Sequence, residues 1–261
     1  MKVIGVIPAR YDSIRFPGKP LADILGKTMI QYVYEASSKS SLLDRVIVAT
    51  DDRRIFDECV RFGADVMMTS REHPSGSDRV AEVAEKTDGN IYVNIQGDEP
   101  LLPPANIDLA IKPLLDDDSI MMSTLKTDIE NTDELFDVNV VKVVTDSDDF
   151  ALYFSRLPLP FIRESGKTYH NAKEMLEKNR NLLNNHYVQI GLYAFRRDFL
   201  FKFTSLSPSR LEQLEKLEQL RAMENGYKIK VIYTAEPSIG VDSPADLDRM
   251  ISIIEKGNHG N

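Results

Sequence analysis

The hydrophobic positions of the chain fall into short apolar runs separated by stretches of helical spacing. The first run, Val3 to Ile7, is interrupted by Gly5 and bounded by Pro8, as is typical of a buried parallel strand. Similar runs predict strands at 45–50, 66–69, 91–95, 121–125, 189–195 and 228–233, and helical spacing predicts helices at 28–37, 52–62, 77–85, 106–115 and 244–255. This alternation predicts an α/β fold, with a central, mostly parallel sheet covered by helices.

The middle of the chain departs from this alternation. β-Branched residues alternate in 139–146, and 151–156 continues the pattern, which favours a small antiparallel excursion. The stretch 161–187 is polar, and 172–183 predicts a helix with little apolar face, hence an exposed insertion or mobile loop. We therefore predict a single domain over 1–261, with a main part at 1–125 and 197–261 and a smaller inserted lobe at about 126–196.

Two further helical features can be predicted. Leucines recur on one stripe of 209–225, which predicts a single long amphipathic helix ended by Gly226, with Leu211, Leu214, Leu217 and Leu220 in the core. Thr28 and Gln31 fit an N-terminal capping box for the helix 28–37.

Composition limits the class of protein. The net charge of −9 argues against nonspecific nucleic-acid binding, and Cys59 is the only cysteine, which excludes an internal disulfide or a cysteine metal cluster. No apolar run approaches the roughly 18 to 20 residues of a membrane span, and no signal-peptide segment precedes the first strand. We expect a cytoplasmic protein that binds neither membrane nor nucleic acid.

A cationic loop follows the first strand. Arg10, Arg15 and Lys19 lie in it, together with Gly18, although the chain is acidic overall. Loops at the carboxyl ends of parallel strands usually bind ligands, and fixed positive charges suit a polyphosphate. The alternative is a solvated basic loop, which is the weaker interpretation because prolines stiffen this one. The Gly-Lys-Ser/Thr sequence of a P-loop is lacking, so ATPase chemistry is not indicated.

Two acidic residues follow other strands. Asp98 comes after Gln96 and Gly97 at the end of the 91–95 strand, and Asp242 lies between a strand and a helix. The two carboxylates would meet if their strands end on the same side of the sheet, and they would then suit Mg²⁺. By itself, Asp98 could be an ordinary turn aspartate.

The segment 73–79 opens a predicted helix. Ser75, Gly76 and Ser77 would present hydroxyls and free amides at the helix N-terminus, which suits an anionic ligand. From spacing alone, a merely capped helix is an equally good interpretation.

Several motifs occur in order along the chain: IPARYDSIRFPGKPL, VATDD, QGDEP, ALYFSR, LEKLEQLRAMENG and GVDSP. Together they resemble the 3-deoxy-manno-octulosonate cytidylyltransferases (CMP-Kdo synthetases), a family of sugar nucleotidyltransferases, over essentially the whole chain. The resemblance implies a Rossmann-like nucleotidyltransferase fold whose antiparallel lobe binds the sugar and pairs two subunits. It also implies transfer from CTP to Kdo, giving the CMP-sugar and pyrophosphate for lipopolysaccharide inner-core synthesis.

The resemblance also assigns site residues. It implies that Asp98 and Asp242 hold Mg²⁺ and that Arg15 and Lys19 join them as catalytic residues. The implied nucleotide-binding residues are Pro8, Ala9, Arg10, Arg15, Lys19, Ser75, Gly76, Ser77, Arg79, Gln96 and Asp98. The implied sugar-binding residues are Gln96, Arg156, Gln189, Tyr193, Glu218 and Gln219.

One position departs from the family pattern in a way that concerns the substrate. The family usually has histidine where this chain has Gln189, and only imidazole can become charged near neutral pH. Kdo, its 8-amino-8-deoxy relative and another ulosonic acid therefore all stay open as the sugar. A CTP-binding protein without catalysis is a further alternative, whereas a dehydrogenase is excluded because no GxGxxG follows the first strand.

Overall fold

A computed structural model describes residues 1–12, 16–163 and 171–258 of the chain. The strands are β1 Val3–Ala9, β2 Asp23–Ile24, β3 Lys27–Thr28, β4 Arg45–Thr50, β5 Val66–Met68, β6 Ile91–Asn94, β7 Met122–Asp128, β8 Lys142–Thr145, β9 Ala151–Ser155, β10 Tyr187–Arg196 and β11 Lys230–Tyr233. The helices are α1 Met29–Ser37, α2 Arg53–Arg61, α3 Gly76–Glu85, α4 Pro104–Asp116, α5 Thr132–Phe136, α6 Ala172–Lys178, α7 Arg197–Ser205, α8 Arg210–Glu215, α9 Leu220–Glu224 and α10 Pro244–Asn258, with 3-10 helices at Lys19–Leu21 and Arg180–Asn185.

The central sheet has the strand order β11-β7-β10-β6-β1-β4-β5. Within this order β10 runs antiparallel to both of its neighbours, whereas the other adjacent strands are parallel. The predicted α/β class with a mostly parallel sheet is therefore confirmed. A separate two-stranded antiparallel sheet pairs β2 with β3.

The inserted lobe is joined to the central sheet through β10. Its strand β8 pairs with the first residues of β10, Tyr187 and Val188, and β9 pairs with β8, both antiparallel. The later residues of β10, Tyr193 to Arg196, pair with β6 in the centre of the molecule. The lobe also contacts the main part next to β11, because the Ala151 N–H donates to the Ile229 carbonyl (2.9 Å) and the Val231 N–H donates to the Asp149 carbonyl (2.8 Å). The boundary at about 126 and 196 stays a prediction.

Alternating residues of β1 pack into two different layers. Val3 and Ile7 belong to a cluster on one face of the sheet, whereas Ile4 and Val6 belong to a cluster on the other. These side chains are at most 2% exposed, and burying each contributes about 1.5–3 kcal/mol. Because both faces are covered, β1 is apolar along its length, and the sheet offers a ligand its edge rather than a face. No helix in the described ranges is long and apolar enough to cross a bilayer.

The prediction of one long helix over 209–225 is wrong. Helix α8 ends at Glu215, its C-cap Lys216 has a left-handed backbone at φ 55° and ψ 46°, and α9 begins only at Leu220. Leu217 and Leu220 are buried as predicted and Leu211 is half-buried, but Leu214 is 69% exposed. The break has a tertiary cause, because Arg156 Nε donates to the Glu215 carbonyl (2.6 Å) and its Nη2 to that of Lys216 (3.4 Å).

Two smaller predictions are also wrong. The capping box does not form, because Thr28 donates its hydroxyl to Glu58 and Gln31 donates to Glu35 instead. The segment 172–185 is not a bare exposed insertion: its side chains Met175, Leu176 and Leu183 are buried in a small cluster with Ile129 and Leu135. The residues 164–170 of the predicted mobile loop lie outside the described ranges.

A half-buried carboxylate anchors the segment before α3. The Glu82 carboxylate accepts hydrogen bonds from the Ser70 N–H at 2.8 Å and from Lys86 Nζ at 2.5 Å, and its Oε2 lies 2.5 Å from His73 Nε2. Burial would raise the pKa of Glu82, but these partners outweigh it and lower the pKa to about 2. Glu82 thereby fixes the loop that leads to Ser75, the N-cap of α3.

The helix break predicts different costs for two neighbouring leucines. Leu217→Ala should lower the free energy of unfolding by about 2–5 kcal/mol because it opens a cavity. Leu214→Ala should change it by no more than about 0.5 kcal/mol, because that side chain is in solvent. Urea unfolding of both variants measures the two values. Equal losses would indicate one continuous helix with both leucines on its buried face.

The Glu82 anchor predicts a pH-dependent stability. Its folded pKa lies below the ordinary 4.5, so its contribution is present above pH 4.5 and is lost as the pH falls towards 2. Glu82→Gln should therefore destabilise the protein at pH 7 by about 1–3 kcal/mol, and the difference from wild type should shrink by pH 3. Urea unfolding at both pH values tests this, with the exposed Glu85→Gln of the same helix as control. A difference that does not change with pH would contradict it.

Candidate active site

A cleft of about 340 Å³ opens at the carboxyl edge of the sheet, between the loops that follow β1 and β6 and the start of α3. Of the predicted nucleotide-binding residues, those that line it are Pro8, Ala9, Arg10, Lys19, Ser75, Gly76, Gln96 and Asp98. The parallel pairing explains this convergence, since β1 lies between β4 and β6 and all three end at the same edge.

Two carboxylates meet one ammonium group beside the cleft. Lys19 Nζ lies 2.6 Å from Asp98 Oδ2 and 3.4 Å from Asp242 Oδ1. A backbone hydrogen bond from the Val241 N–H to the Asp98 carbonyl (2.9 Å) ties together the two loops that carry these acids. The structure therefore brings Asp98 and Asp242 together, as expected if their strands end on one side.

The donor set of this centre suits a hard divalent cation. Asp98 and Asp242 supply carboxylate oxygens, and their side chains are 30% and 49% exposed, so a bound ion would keep contact with water. Across 1–12, 16–163 and 171–258, no group of three or more His, Cys, Asp or Glu side chains is placed to hold a metal. Two carboxylates with room for water and substrate oxygens are what Mg²⁺ typically uses, and the residues present fit it.

Close packing of the loops depends on two glycines. A Cβ at Gly97 would lie 3.0 Å from the Pro8 carbonyl oxygen, so any other residue there would push the loop after β6 away from the loop after β1 by a few tenths of an ångström. Gly18 has φ 73° and lies against the Tyr11 ring. It is the N-cap of the 3-10 helix that carries Lys19.

The cations of the first loop have different surroundings. Arg10 donates through Nη2 to the carbonyl of His73, so it bridges the loop after β1 to the segment before α3. Lys19 is held by the two acids, and its side chain is 15% exposed. Arg15, the third predicted cation, lies outside the described residues.

The sequence suggests that the serines at the start of α3 offer their hydroxyls to a ligand, but both hydroxyls form hydrogen bonds within the protein. Ser75 caps the helix by accepting from the Asp78 N–H at 3.2 Å. Ser77 is 1% exposed and donates its hydroxyl to Glu218 Oε2 at 2.6 Å, so it connects α3 to the turn between α8 and α9. Burial raises the pKa of Glu218, although bonds from Ser75 and Ser77 oppose the rise.

Arg79, a predicted nucleotide-binding residue, is not part of the cleft lining. Its side chain is completely buried, and it donates to Asp51 at 2.8 Å and to Thr69. In this arrangement it ties α3 to the loops after β4 and β5. Arg79 therefore forms a buried ion pair with Asp51 that connects parts of the fold.

Four predicted sugar-binding residues form a connected set around β10. Gln189 Nε2 donates to the Tyr193 hydroxyl at 2.8 Å, and Gln219 Nε2 donates to Gln189 Oε1 at 3.1 Å. Gln96 Nε2 reaches the same strand at the Gly191 carbonyl, 2.8 Å away. Burial raises the pKa of Tyr193, so its hydroxyl stays protonated at neutral pH.

Arg156, the sixth predicted sugar-binding residue, is held away from this set. Besides the carbonyls that end α8, its Nη1 donates to the Val138 carbonyl at 2.9 Å. The guanidinium is therefore committed to backbone acceptors and shapes the turn that presents Glu218 and Gln219.

Glu99 was not predicted as a site residue, but it lines a second cavity of about 210 Å³ with Gln189 and Gly191. Its carboxylate accepts a hydrogen bond from Ser238 Oγ at 2.5 Å. Burial raises the pKa of Glu99 to about 7, the bond from Ser238 opposes the rise, and the neighbouring Asp98 charge adds to it. The only sequence signal was its place beside Asp98.

Comparison with known proteins gives a consistent result. The cytidylyltransferase family model matches residues 4–229. The 3-deoxy-manno-octulosonate cytidylyltransferase of Geotalea uraniireducens (strain Rf4) is 54% identical over 256 residues, which cover 98% of this chain and 100% of that protein. The protein of the same description from Geotalea daltonii is 53% identical, over 96% of this chain and 97% of that one.

Solved structures agree. A CMP:2-keto-3-deoxy-manno-octonic acid synthetase complexed with CTP superposes with a TM-score of 0.87 at 38% identity, covering 98% of this chain and 100% of that one. A cytidylyltransferase from Leptospira borgpetersenii, at 18% identity and a TM-score of 0.61, shows the shared fold. With its sheet-edge cleft, its paired aspartates and these relatives, the chain belongs to the cytidylyltransferase family, among the 3-deoxy-manno-octulosonate cytidylyltransferases.

Proposed function

We propose that the protein transfers the cytidylyl group of CTP to 3-deoxy-manno-octulosonate, giving the CMP-sugar and pyrophosphate. One observation carries the proposal: Asp98 and Asp242 converge on Lys19 at the mouth of the sheet-edge cleft. The relatives support the substrates, since they are described as enzymes of this reaction and a solved one is complexed with CTP.

CTP would lie along the cleft with its triphosphate at the cationic loop. Lys19 and Arg10 line the cleft and would face the phosphate oxygens, and we assign Arg15 to the same group. Ser75 and Gly76 stand at the N-terminus of α3, where free amides and the helix dipole favour an anion. Pro8 and Ala9 would form the wall of the cleft at the end of β1.

Asp98 and Asp242 would hold Mg²⁺ beside the triphosphate. When bound, this ion would neutralise phosphate charge and lower the pKa of the attacking hydroxyl, so no protein base is required. Lys19, now shared by the two acids, would then be available to the phosphates. The main work of the chain's own residues is to position both substrates and to neutralise charge.

The sugar acid would bind on the β10 side, where Gln96, Gln189, Tyr193 and Gln219 are brought together. Its anomeric oxygen would bond to the α-phosphorus as the bond from that phosphorus to pyrophosphate breaks, and the proton of the anomeric hydroxyl would pass to water. Glu218 is close enough to this set to affect the Tyr193 hydroxyl electrostatically, and it would accept a hydrogen bond from a sugar hydroxyl. Arg156 would act on the sugar through the turn that it stabilises.

Pyrophosphate release with CTP and Mg²⁺ tests the proposal, run in parallel with Kdo, 8-amino-8-deoxy-Kdo and a sialic acid. We expect release with Kdo. Preference for the amino sugar would identify that variant as the substrate and Gln189 as part of the specificity. CTP binding without pyrophosphate release with any of the three sugar acids would indicate a nucleotide-binding protein and contradict the proposed enzymatic activity.

Asp98→Asn should lower turnover by on the order of 100-fold or more, because it removes one of the two charged metal ligands. The same release assay measures the loss, and circular dichroism should show an unchanged fold. Asp116→Asn, an exposed substitution at the end of α4, is the matched control and should retain full activity. Full activity in Asp98→Asn would remove Asp98 from the metal site.

We also propose that two copies pair through the inserted lobe. Its exposed apolar side chains are Val138 (57%), Leu152 (59%), Leu157 (65%) and Phe161 (74%). Such a concentration of exposed hydrophobic residues is typical of a protein interface. The cytoplasmic location and the role in lipopolysaccharide synthesis stay predictions from the sequence.

The double variant Leu157→Asp and Phe161→Asp should convert a dimer to a monomer, because it introduces charges into an apolar contact. Sedimentation equilibrium at micromolar concentration measures the mass. Val60→Asp, which changes an equally exposed side chain (56%) on α2, should stay dimeric. A monomeric wild type, or a double variant that is still dimeric, would contradict this interface.

A further inference from the structure

Strand β10 carries a β-bulge beside the cleft. Its pairing register with β7 shifts between Ile190 and Tyr193. On one side of the shift the strand pairs with β8 of the lobe, and on the other it pairs with β6 of the main sheet. The bulge therefore lies at the junction of the two parts of the chain, where a local change in backbone direction can re-aim side chains.

Side chains hold the carbonyls of the bulge. Thr124 Oγ1, on β7, lies within hydrogen-bond distance of the Ile190 carbonyl (3.0 Å) and the Leu192 carbonyl (2.9 Å). The carbonyl between them, that of Gly191, accepts from Gln96 Nε2 at 2.8 Å. Gln189 Nε2 also lies 3.1 Å from the Ile190 carbonyl oxygen, so the side chains of three residues contact the carbonyls of the bulge.

The Thr124 hydroxyl also takes part in the polar set around β10. It accepts a hydrogen bond from Gln189 Nε2 at 3.2 Å, and the same nitrogen contacts Tyr193. Thr124 is completely buried and Gln189 is 8% exposed, so water does not compete for these bonds. One hydroxyl thus joins the bulge to Gln189.

The bulge is also linked to the acidic centre. Gln96, bonded to the Gly191 carbonyl, is followed directly by Gly97 and Asp98. A shift of the Gly191 carbonyl would therefore move or release the Gln96 carboxamide, at the start of the loop that carries Asp98. Displacements of about 1 Å at such positions can cost two orders of magnitude in rate.

We propose that Thr124 is a positioning residue that, through the β10 bulge, sets Gln96 and Gln189 for the sugar acid. This proposal rests on the proposed function, which identifies the substrate as a sugar acid. Neither residue type nor spacing marks Thr124 in the sequence, because its role arises from the alignment of β7 with β10.

Thr124→Val tests the proposal, because valine keeps the shape of the side chain and removes the hydroxyl. We expect the KM for the sugar acid to rise about tenfold or more, since a bulge without the Thr124 hydroxyl would misplace Gln96 or Gln189, and one hydrogen bond from either to the sugar acid is worth about that factor. The KM for CTP should rise by a clearly smaller factor, because Gln96 lines the nucleotide cleft but Gln189 does not. Thr124→Ser, which restores the hydroxyl, should return the sugar KM towards wild type.

Ser123→Ala is the matched control. It removes another buried hydroxyl of β7, which donates to the Ala110 carbonyl of α4 at 2.5 Å, away from the bulge. This variant should lose stability without changing the sugar KM. A Thr124→Val enzyme with unchanged sugar KM, or with both KM values raised together and no rescue by serine, would overturn the proposal.

A crystal structure of Thr124→Val separates this proposal from the proposed function. If the wild type releases no pyrophosphate with any sugar acid, the proposed function fails, and the structure still decides the role of Thr124. A displaced Gly191 carbonyl and a released Gln96 would support it. An unchanged bulge with the Gln96 bond intact would refute it.

Discussion

The arrangement of the molecule depends on a constraint of parallel strands, which end at the same edge of their sheet. Strands β1 and β6 end side by side, and this places the cationic loop next to the loop that carries Asp98. Asp242 reaches the same point from far along the chain, held by the bond from the Val241 N–H to the Asp98 carbonyl. Lys19 lies between the two acids and offsets one of their two negative charges, which reduces their mutual repulsion.

Around this centre, the two substrates would meet surfaces of different origin. The nucleotide side is built from loops and the N-terminus of α3, whose backbone groups suit phosphates. The sugar side is built from side-chain amides and hydroxyls of β10 and the turn before α9, which suit a polyhydroxylated acid. Hydrogen bonds hold that turn in place, because Arg156 donates to the Glu215 carbonyl and Ser77 donates to the Glu218 carboxylate. Through Arg156, the predicted lobe would therefore contribute to the proposed sugar site as well as to the proposed dimer.

Local patterns were sufficient for the fold class and for the convergence of Asp98 and Asp242, because both follow from hydrophobic periodicity and sheet geometry. Local patterns were not sufficient where contacts between residues far apart in the sequence determine the local structure. The break at Lys216 depends on Arg156, about sixty positions earlier, and the exposure of Leu214 follows from it. Arg79 has the charge of a ligand-binding residue, but its side chain is buried in an ion pair with Asp51. The resemblance to a known family supplied the site roles that spacing left open.

The single antiparallel strand in the centre of the sheet has a consequence for how the chain folds. The partners of β10, β6 and β7, are made well before it, and the lobe lies between them and β10 in the sequence. During synthesis, the apolar β6 thus has an unpaired edge until residue 196 has emerged. Unpaired apolar edges promote aggregation, and such long-range pairing is slow. Substitutions in the lobe should therefore lower the yield of folded protein even where they leave the finished active site intact.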